Sequence, residues 1–228
     1  MVVSTIITTT IMSIGCMLGF GRWFGYNPAV LWARFFCFIT GVKVSVTGRE
    51  NIDRKTSYVF VANHQGAYDI FSIYGYLCHE FRWMMKKELR GIPFAGYACK
   101  ASGQIFVDDS SPRAIVRTMQ EASEQLKHGM SLVIFPEGAR TPDGRMHEFK
   151  SGAFRLAKGF GLPVVPITID GSYKVMARYA KSACPGHITL TIHKPIYPGP
   201  DGHDQKRLME ESRRAIASAL PEENPGMA

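Results

Sequence analysis

The chain has 228 residues, of which 46% are hydrophobic and 20% charged, so it can bury the core of one α/β domain of about 185–200 residues plus an appendage. This composition excludes a disordered, collagen-like or disulfide-based protein. The net charge of +8 indicates anionic partners, and the scattered basic residues favour an acidic membrane surface or phosphorylated substrates over nucleic acid. The five cysteines lie far apart without a C-x-x-C pair, which predicts reduced thiols and no zinc or redox motif.

The first predicted element is an uncharged run of 20 residues from Val2 to Gly21, followed by Arg22. A helix of this length measures about 30 Å, which matches the hydrocarbon thickness of a bilayer. Thr, Ser and Gly keep its hydrophobicity moderate. A secretory signal peptide has positive charge before its apolar run, whereas here the charge comes after it. We therefore expect an uncleaved membrane anchor.

A second apolar stretch lies between Pro28 and Gly41, which are suitable start and stop signals for a helix. Its length of about thirteen residues is too short to span a bilayer. Two interpretations fit: a helix in the membrane interface with Arg22, Arg34 and Lys43 towards acidic headgroups, or an ordinary core helix. The N-terminal segment is then either a span followed by an interfacial helix, or two helices that dip into the membrane and return.

From Val42 onwards, β-rich runs alternate with helical patterns. The predicted strands are Val42–Thr47, Tyr58–Ala62, Phe81–Met85, Gln104–Val107, Leu132–Phe135, Val164–Ile169 and Ile188–His193. The clearest helix is Pro112–His128, and a last amphipathic helix covers about Asp204–Leu220. This alternation predicts an α/β fold in which helices flank a mixed, largely parallel sheet. We expect two parts: N-terminal membrane-associating helices over residues 1–41 and an α/β domain over residues 42–228.

Candidate catalytic residues follow the apolar strand that ends at Ala62. His64 leaves this strand, and Asp69 falls in the first turn of the next helix. Ligand sites in α/β sheets form at the carboxyl ends of strands. A turn through Gln65 and Gly66 lets the carboxylate reach the imidazole, and a histidine held by a carboxylate is a general base that deprotonates hydroxyl groups. The alternative is a loop histidine with a helix-capping aspartate.

A second group of polar residues follows the strand Leu132–Phe135. Its Pro136-Glu137-Gly138 turn leads to Arg140, whose planar guanidinium suits bidentate binding of a phosphate. Residues 140–158 carry five basic residues against two acidic ones, which leaves a local positive surplus. The alternative is a solvated basic face next to a turn.

These two blocks resemble the glycerolipid acyltransferase family, in particular its 1-acyl-glycerol-3-phosphate acyltransferases. Four stretches carry the resemblance, which extends over about residues 27–195. They are Asn63–Asp69 (H-x-x-x-x-D), Gly103–Asp108, Phe135–Arg140 (F-P-E-G-x-R) and Val164–Ile167. The H-x-x-x-x-D block is weak alone, but its combination with F-P-E-G-x-R about seventy residues later is specific.

The resemblance implies that a fatty acyl group moves directly from acyl-CoA or acyl-carrier protein to the free hydroxyl of 1-acyl-glycerol-3-phosphate. His64 is then the general base, and Asp69 fixes its tautomer. No metal or other cofactor is implied. The expected partners are the lipid acceptor, the acyl donor and a membrane surface, without nucleic acid. The expected location is the cytoplasmic face of the inner membrane.

For the acceptor site, the resemblance implies that Glu137 and Gly138 shape the pocket. Arg140, with Lys100 or Lys150, is expected to hold the acceptor phosphate.

One position departs from the family pattern. The family's second block usually has an arginine after its acidic residue, whereas here Asp108 is followed by Asp109. Either Arg113, Lys100 or Arg140 supplies the missing charge, or the acceptor is another lysolipid. A third possibility is a non-catalytic membrane-binding homologue that retained the fold. Phosphatidate synthesis is our first expectation, because the intact His64 pattern argues against a binding module.

Overall fold

The computed structural model describes residues 2–108, 110–127, 129–199 and 204–221. Within these ranges the helices are α1 (Val2–Met17), α2 (Gly21–Phe24), α3 (Asn27–Ile39), α4 (Tyr68–Tyr76), α5 (Ala95–Ala101), α6 (Pro112–Lys127), α7 (Gly152–Phe160), α8 (Ser172–Met176) and α9 (Asp204–Ser218). The strands are β1 (Val42–Thr47), β2 (Val59–Ala62), β3 (Phe81–Lys86), β4 (Ile105–Val107), β5 (Ser131–Ile134), β6 (Val164–Asp170) and β7 (Gly186–Ile192). Two short 3₁₀ turns, Arg49–Asn51 and Lys87–Gly91, follow β1 and β3.

The strands of the described ranges form one sheet in the order β1-β7-β6-β2-β5-β3-β4. Strands β2 to β6 all run parallel to one another, whereas β7 is antiparallel to β6 and pairs in parallel with β1. The predicted α/β fold with a mixed, largely parallel sheet is therefore confirmed. The carboxyl ends of β2 to β6 lie along one edge of the sheet, and the loops that carry His64 and Glu137 meet there.

Helices cover both faces of this sheet because successive side chains of its central strands are buried on opposite sides. Phe60 and Ala62 of β2 belong to a hydrophobic cluster that includes residues of α3 and α4. Val59 and Val61 belong to a second cluster with residues of α6, α7 and α9. All four side chains are fully buried, as expected for a strand enclosed between two helical layers.

The uncharged N-terminal run is not one continuous helix. Helix α1 ends at Met17, and the chain turns at Gly19, whose φ of +88° is a left-handed conformation that favours glycine. Helix α2 then folds back so closely that a Cβ atom at Gly15 would collide with the Phe24 ring. In the part of the chain that the structure describes, no helix combines the length and the apolarity that crossing a bilayer requires.

Helix α3 has two different faces. Ala33, Phe36 and Cys37 are fully buried, and the Phe36 ring stacks on Phe71 of α4 at a centroid distance of 5.4 Å. The opposite face leaves apolar side chains in solvent, among them Phe38, which is 83% exposed. One face of α3 is thus part of the core, and the other is an unpaired apolar surface.

Candidate active site

The site begins where β2 ends, with Asn63 and His64. The Asn63 side chain is fully buried and makes two hydrogen bonds to the backbone of Ile169 on β6, one in each direction, both 2.8 Å long. These bonds extend the pairing of β2 with β6 by one residue and hold the start of the following turn. His64 is therefore placed at the carboxyl edge of the sheet by a side chain that the sequence analysis did not select.

His64 and Asp69 are in direct contact. The His64 Nδ1 lies 2.7 Å from Asp69 Oδ2, and the backbone N–H groups of Gln65 and Gly66 donate to the same oxygen at 2.8 and 2.9 Å. Because an ionised carboxylate only accepts hydrogen bonds, His64 Nδ1 is the donor and Nε2 is left as the acceptor. Asp69 is fully buried, whereas the His64 side chain is 12% exposed. The predicted contact is present, and its geometry suits a general base.

The turn between the two residues requires glycine at position 66. A Cβ atom at Gly66 would collide with the carbonyl oxygen of Ser172 at the start of α8. The backbone N–H of Ala67 also donates to the carbonyl of Met176 at 3.0 Å. Helix α8 therefore supports the turn that brings Asp69 to His64.

The plane of the His64 ring is set by an aromatic stack. Phe135, the residue after β5, lies parallel to the imidazole with a centroid distance of 3.9 Å and an interplanar angle of 8°. Trp83 of β3 stacks on the other side of Phe135 at 5.2 Å. An aromatic face next to an imidazole attracts its cationic form, so this stack would favour a protonated His64 ring. The position of Phe135 at the end of a predicted strand and in the F-P-E-G-x-R block did not predict this stack.

Glu137 joins the two site loops through backbone groups. Its Oε1 accepts from the His64 N–H at 2.7 Å, and its Oε2 accepts from the His147 N–H at 2.9 Å. A further hydrogen bond runs from the Thr141 N–H to the His64 carbonyl at 2.9 Å. Burial raises the pKa of the Glu137 carboxyl above its ordinary value, and the two amide donors oppose that shift. Glu137 therefore acts on the site by holding these loops together.

Gly138 and Lys150 lie together beside this turn. Gly138 has a φ of +78°, and its N–H donates to the Phe135 carbonyl at 3.0 Å. A Cβ atom at Gly138 would lie 3.3 Å from Lys150 Nζ, so the ammonium passes directly over the glycine. The Lys150 N–H also donates to the Pro136 carbonyl at 2.8 Å. The structure thus brings Lys150 to the Pro-Glu-Gly turn, as expected from the sequence.

Arg140 follows on the same loop and is partly exposed. Among the described residues, its guanidinium group makes no hydrogen bond or ion pair, while Nη1 of Arg178 donates to its backbone carbonyl at 2.9 Å. Arg178 lies 38 residues later in the chain and has no sequence signal that connects it with the site. It adds a second guanidinium group next to Arg140.

Lys100 is not joined to this group. It lies in the last turn of α5, on the crossover that returns the chain to the start of β4, and its exposed side chain makes no hydrogen bond or ion pair with another described residue. Asp108 is bound by Lys87 at 2.8 Å, which lowers the pKa of the Asp108 carboxyl. Arg113 is exposed in the first turn of α6. Asp109, the position that departs from the family pattern, lies outside the described residues.

A second histidine–carboxylate pair lies in the loop after Arg140. His147 Nε2 is 3.0 Å from Asp143 Oδ1, and both side chains are about half exposed. Solvent weakens an exposed pair of this kind, whereas the His64 pair includes a fully buried carboxylate. The His64 pair is therefore the better candidate for a general base.

Comparison with known proteins agrees with the fold described above. A family model described as acyltransferase matches residues 43–170, a range that contains both site loops. The chain belongs to the acyltransferase family. The chain is 34% identical over 225 residues to the chloroplastic 1-acyl-sn-glycerol-3-phosphate acyltransferase BAT2 of Brassica napus, with 96% of this chain and 64% of that protein covered.

Two further relatives extend the comparison. The 1-acyl-sn-glycerol-3-phosphate acyltransferase of Pseudomonas aeruginosa is 34% identical over 192 residues, which cover 82% of this chain and 72% of the relative. The crystal structure of the 1-acyl-sn-glycerophosphate acyltransferase PlsC from Thermotoga maritima aligns with a TM-score of 0.73 at 27% identity and covers 95% of both chains. The chain spans 55 to 64% of the length of three plant and algal relatives.

Proposed function

We propose that the protein transfers a fatty acyl group from a thioester to the free hydroxyl of 1-acyl-glycerol-3-phosphate and so forms phosphatidate. The contact between His64 and the buried Asp69, beside the loop of Glu137 and Arg140, carries the proposal. The names of the relatives from Brassica napus and Pseudomonas aeruginosa support the same acceptor. Because Asp109 replaces the family's usual arginine, another lysolipid is the second candidate acceptor.

In the proposed mechanism, His64 Nε2 accepts the proton of the acceptor hydroxyl while the oxygen attacks the thioester carbonyl carbon. Asp69 stabilises the imidazolium that forms, through its bond to Nδ1. The carbon–sulfur bond then breaks, and the imidazolium gives its proton to the departing thiolate. The acyl donor is acyl-CoA or acyl-carrier protein, and the step uses neither a metal nor a covalent acyl-enzyme.

We propose that Arg140 and Lys150 hold the acceptor phosphate, with Glu137 and Gly138 shaping the pocket. Arg140 has a guanidinium group available for a bidentate contact, and the Lys150 ammonium lies over the Gly138 backbone. Lys100 remains a weaker candidate, because it lies on α5 and forms no hydrogen bond or ion pair with the described residues of the site loops.

The function is tested with purified full-length protein, labelled acyl-CoA and acyl-carrier protein, and a panel of lysolipids. Phosphatidate as the preferred product supports the proposal, and the ratio of the two donor rates identifies the donor. Preference for a lysolipid without a terminal phosphate monoester contradicts the acceptor assignment. Absence of transfer to every acceptor supports the non-catalytic alternative.

Replacing Arg140 with alanine is expected to raise the KM for the lysophospholipid about 10- to 150-fold with little change in the donor KM. This range corresponds to the loss of a charge-assisted contact worth about 1.5–3 kcal/mol. Arg140→Lys retains the charge without the planar fork, so an intermediate KM is expected. Arg117→Ala, on the exposed side of α6, is the matched control and should leave both constants unchanged. Equal changes in both KM values for Arg140→Ala would contradict a phosphate contact.

We also propose that helices α1 to α3, within residues 1–41, attach the α/β domain of residues 42–228 to the cytoplasmic face of the inner membrane. Both proposed substrates have acyl chains, so the site must work at a bilayer surface. The outer faces of α1 and α3 leave many large apolar side chains exposed, which exceeds the scattered exposure of an ordinary soluble surface.

Replacing Leu31 and Phe38 with serine is expected to reduce binding to acidic liposomes at least tenfold. These side chains are 64% and 83% exposed, and inserting a large apolar side chain is worth about 1.5–3 kcal/mol. Flotation of wild-type and variant protein measures the effect. A deletion of residues 1–40 is a poorer test because it removes Phe36 from the core. Unchanged flotation of the double variant would place the attachment elsewhere.

A further inference from the structure

A second exposed apolar surface lies outside the N-terminal helices, in the segment between β3 and α5. After the 3₁₀ turn Lys87–Gly91, the chain continues through Ile92, Pro93 and Phe94 into α5, and every residue from 89 to 94 is exposed. The side chains of Ile92 and Phe94 are 46% and 58% exposed, and those of Leu89 and Tyr97 are exposed to a similar degree. Single exposed apolar residues are common, but four large ones within nine positions form a patch.

This patch is held by an ordered backbone. The N–H groups of Ile92 and Gly96 donate to the carbonyls of Leu89 and Ile92 at 3.2 and 2.8 Å. A Cβ atom at Gly96 would collide with the Arg90 carbonyl, so the start of α5 lies directly against the preceding turn. The apolar side chains therefore project from a compact scaffold.

Phe94, the most exposed of the four apolar residues, has a strained backbone. Its backbone has a φ of +60° and a ψ of −53°, and the Ala95 N–H donates to the Pro93 carbonyl at 2.6 Å. Together these features define a γ-turn of the rare, strained type. Glycine would relieve this strain, yet the position holds a large apolar ring in solvent. Strain of this kind is concentrated at functional positions.

The segment lies on the same edge of the sheet as the candidate active site. Strand β3, which ends at Lys86, runs parallel to β5, and β5 runs parallel to β2. Neighbouring strands are about 4.8 Å apart, so β3 ends about 10 Å from the strand that presents His64. The ring stack from Trp83 through Phe135 to His64 crosses the same three strands.

The patch is also continuous with the apolar surface of α1 and is flanked by cations. Tyr97 Oη donates to Met17 Sδ at 3.5 Å, and Met17 itself is highly exposed. Residues 86–100 carry four basic side chains, one of which, Lys87, binds Asp108, against the single acidic residue Glu88. Apolar side chains with a basic surround match the headgroup region of an acidic bilayer.

We propose that residues 89–97 insert into the headgroup region of an acidic lipid bilayer and turn the active-site edge of the sheet towards the membrane. The N-terminal helices supply attachment, and this second contact sets the orientation in which a lipid acceptor reaches His64. The orienting role rests on the proposed function, whereas the lipid contact does not.

The test compares the full-length variant Ile92→Ser/Phe94→Ser with the control Val116→Ser/Tyr197→Ser. The control residues are exposed to a similar degree and lie far along the chain from the patch. Binding to vesicles that contain phosphatidylglycerol is expected to fall at least tenfold in the first variant and to stay unchanged in the control. The activity of Ile92→Ser/Phe94→Ser on vesicle-embedded acceptor should fall together with its vesicle binding. Its activity on a short-chain acceptor below the critical micelle concentration should persist.

A tryptophan probe measures the insertion directly. Because Trp23, Trp32 and Trp83 also fluoresce, the probe signal is the difference between each variant and wild-type protein. The fluorescence added by Phe94→Trp should be quenched by brominated lipids, whereas the fluorescence added by Tyr197→Trp should not. Normal flotation without quenching overturns the proposal, as does an equal loss of activity on both acceptors. Conversion of a wild-type dimer to monomer by Ile92→Ser/Phe94→Ser also overturns it, because the patch then joins two copies of the chain. If every lysolipid is inactive with wild-type protein, the proposed function fails, and flotation and quenching still decide the lipid contact.

Discussion

Replacing His64 with alanine is expected to lower kcat by a factor of about 10²–10⁴, which is the usual contribution of a positioned general base. The fold should be retained, because the backbone N–H and carbonyl of His64 bond to Glu137 and Thr141 without help from the imidazole. Acceptor binding should change little, because the proposed phosphate contacts come from Arg140 and Lys150. Steady-state kinetics with a thermal unfolding curve measures both effects.

His147→Ala is the matched control for this experiment. His147 also bonds to Glu137 through its backbone N–H and also pairs with a carboxylate, but its side chain is half exposed. We expect kcat of this variant to stay within a few-fold of wild type. A large loss in His147→Ala together with near-normal turnover in His64→Ala would reverse the assignment of the base.

The contact between His64 and Asp69 was predictable because it depends on local features. An apolar strand ends just before His64, a glycine in the turn permits the sharp change of direction, and Asp69 falls in the first turn of α4. The seven predicted strands are confirmed for the same reason, since each is a short β-rich run between turn signals. Strands, turns and contacts that are set by neighbouring residues could therefore be predicted from the sequence.

Contacts between residues that are far apart in the chain could not be predicted from the sequence. The two carboxylate oxygens of Glu137 accept from the backbone N–H groups of His64 and His147, which lie 73 residues before it and 10 residues after it. Glu137 was expected only to shape the acceptor pocket. The stacking of Phe135 on His64 and the bond of Arg178 to Arg140 also cross between strands or loops. The antiparallel placement of β7 depends on sheet pairing that no local pattern specifies.

The N-terminal segment shows a different limit. Absence of charge from Val2 to Gly21 predicted a helix of span length, but the chain turns after Met17 because Gly19 takes a left-handed conformation. Small residues allow α2 to pack closely against α1, as the contact of Gly15 with Phe24 shows. Hydrophobicity alone does not distinguish a long helix from a helical hairpin.

Replacing Asp69 with alanine is expected to reduce kcat nearly as much as His64→Ala, because the imidazole loses both its orientation and the charge that stabilises its protonated form. Asp69→Asn separates these two effects. The three donors converge on Oδ2, while Oδ1 has no hydrogen-bond partner among the described residues, so the amide oxygen of asparagine should take the Oδ2 position. The tautomer of His64 is then retained without the charge. Since charged hydrogen bonds exceed neutral ones by about 1–1.5 kcal/mol, we expect about a tenfold loss of kcat in Asp69→Asn.

A double-mutant cycle decides whether Asp69 acts through His64. If it does, Asp69→Ala in the His64→Ala background should cause little further loss of kcat, because residues that work as one unit are strongly non-additive. Unfolding curves must accompany the kinetics, since alanine leaves the N–H groups of Gln65 and Gly66 without their acceptor in a buried turn. Additive losses in a folded double variant would mean that Asp69 supports the turn and not the base. A loss in Asp69→Asn as large as in Asp69→Ala would instead assign its whole effect to the negative charge.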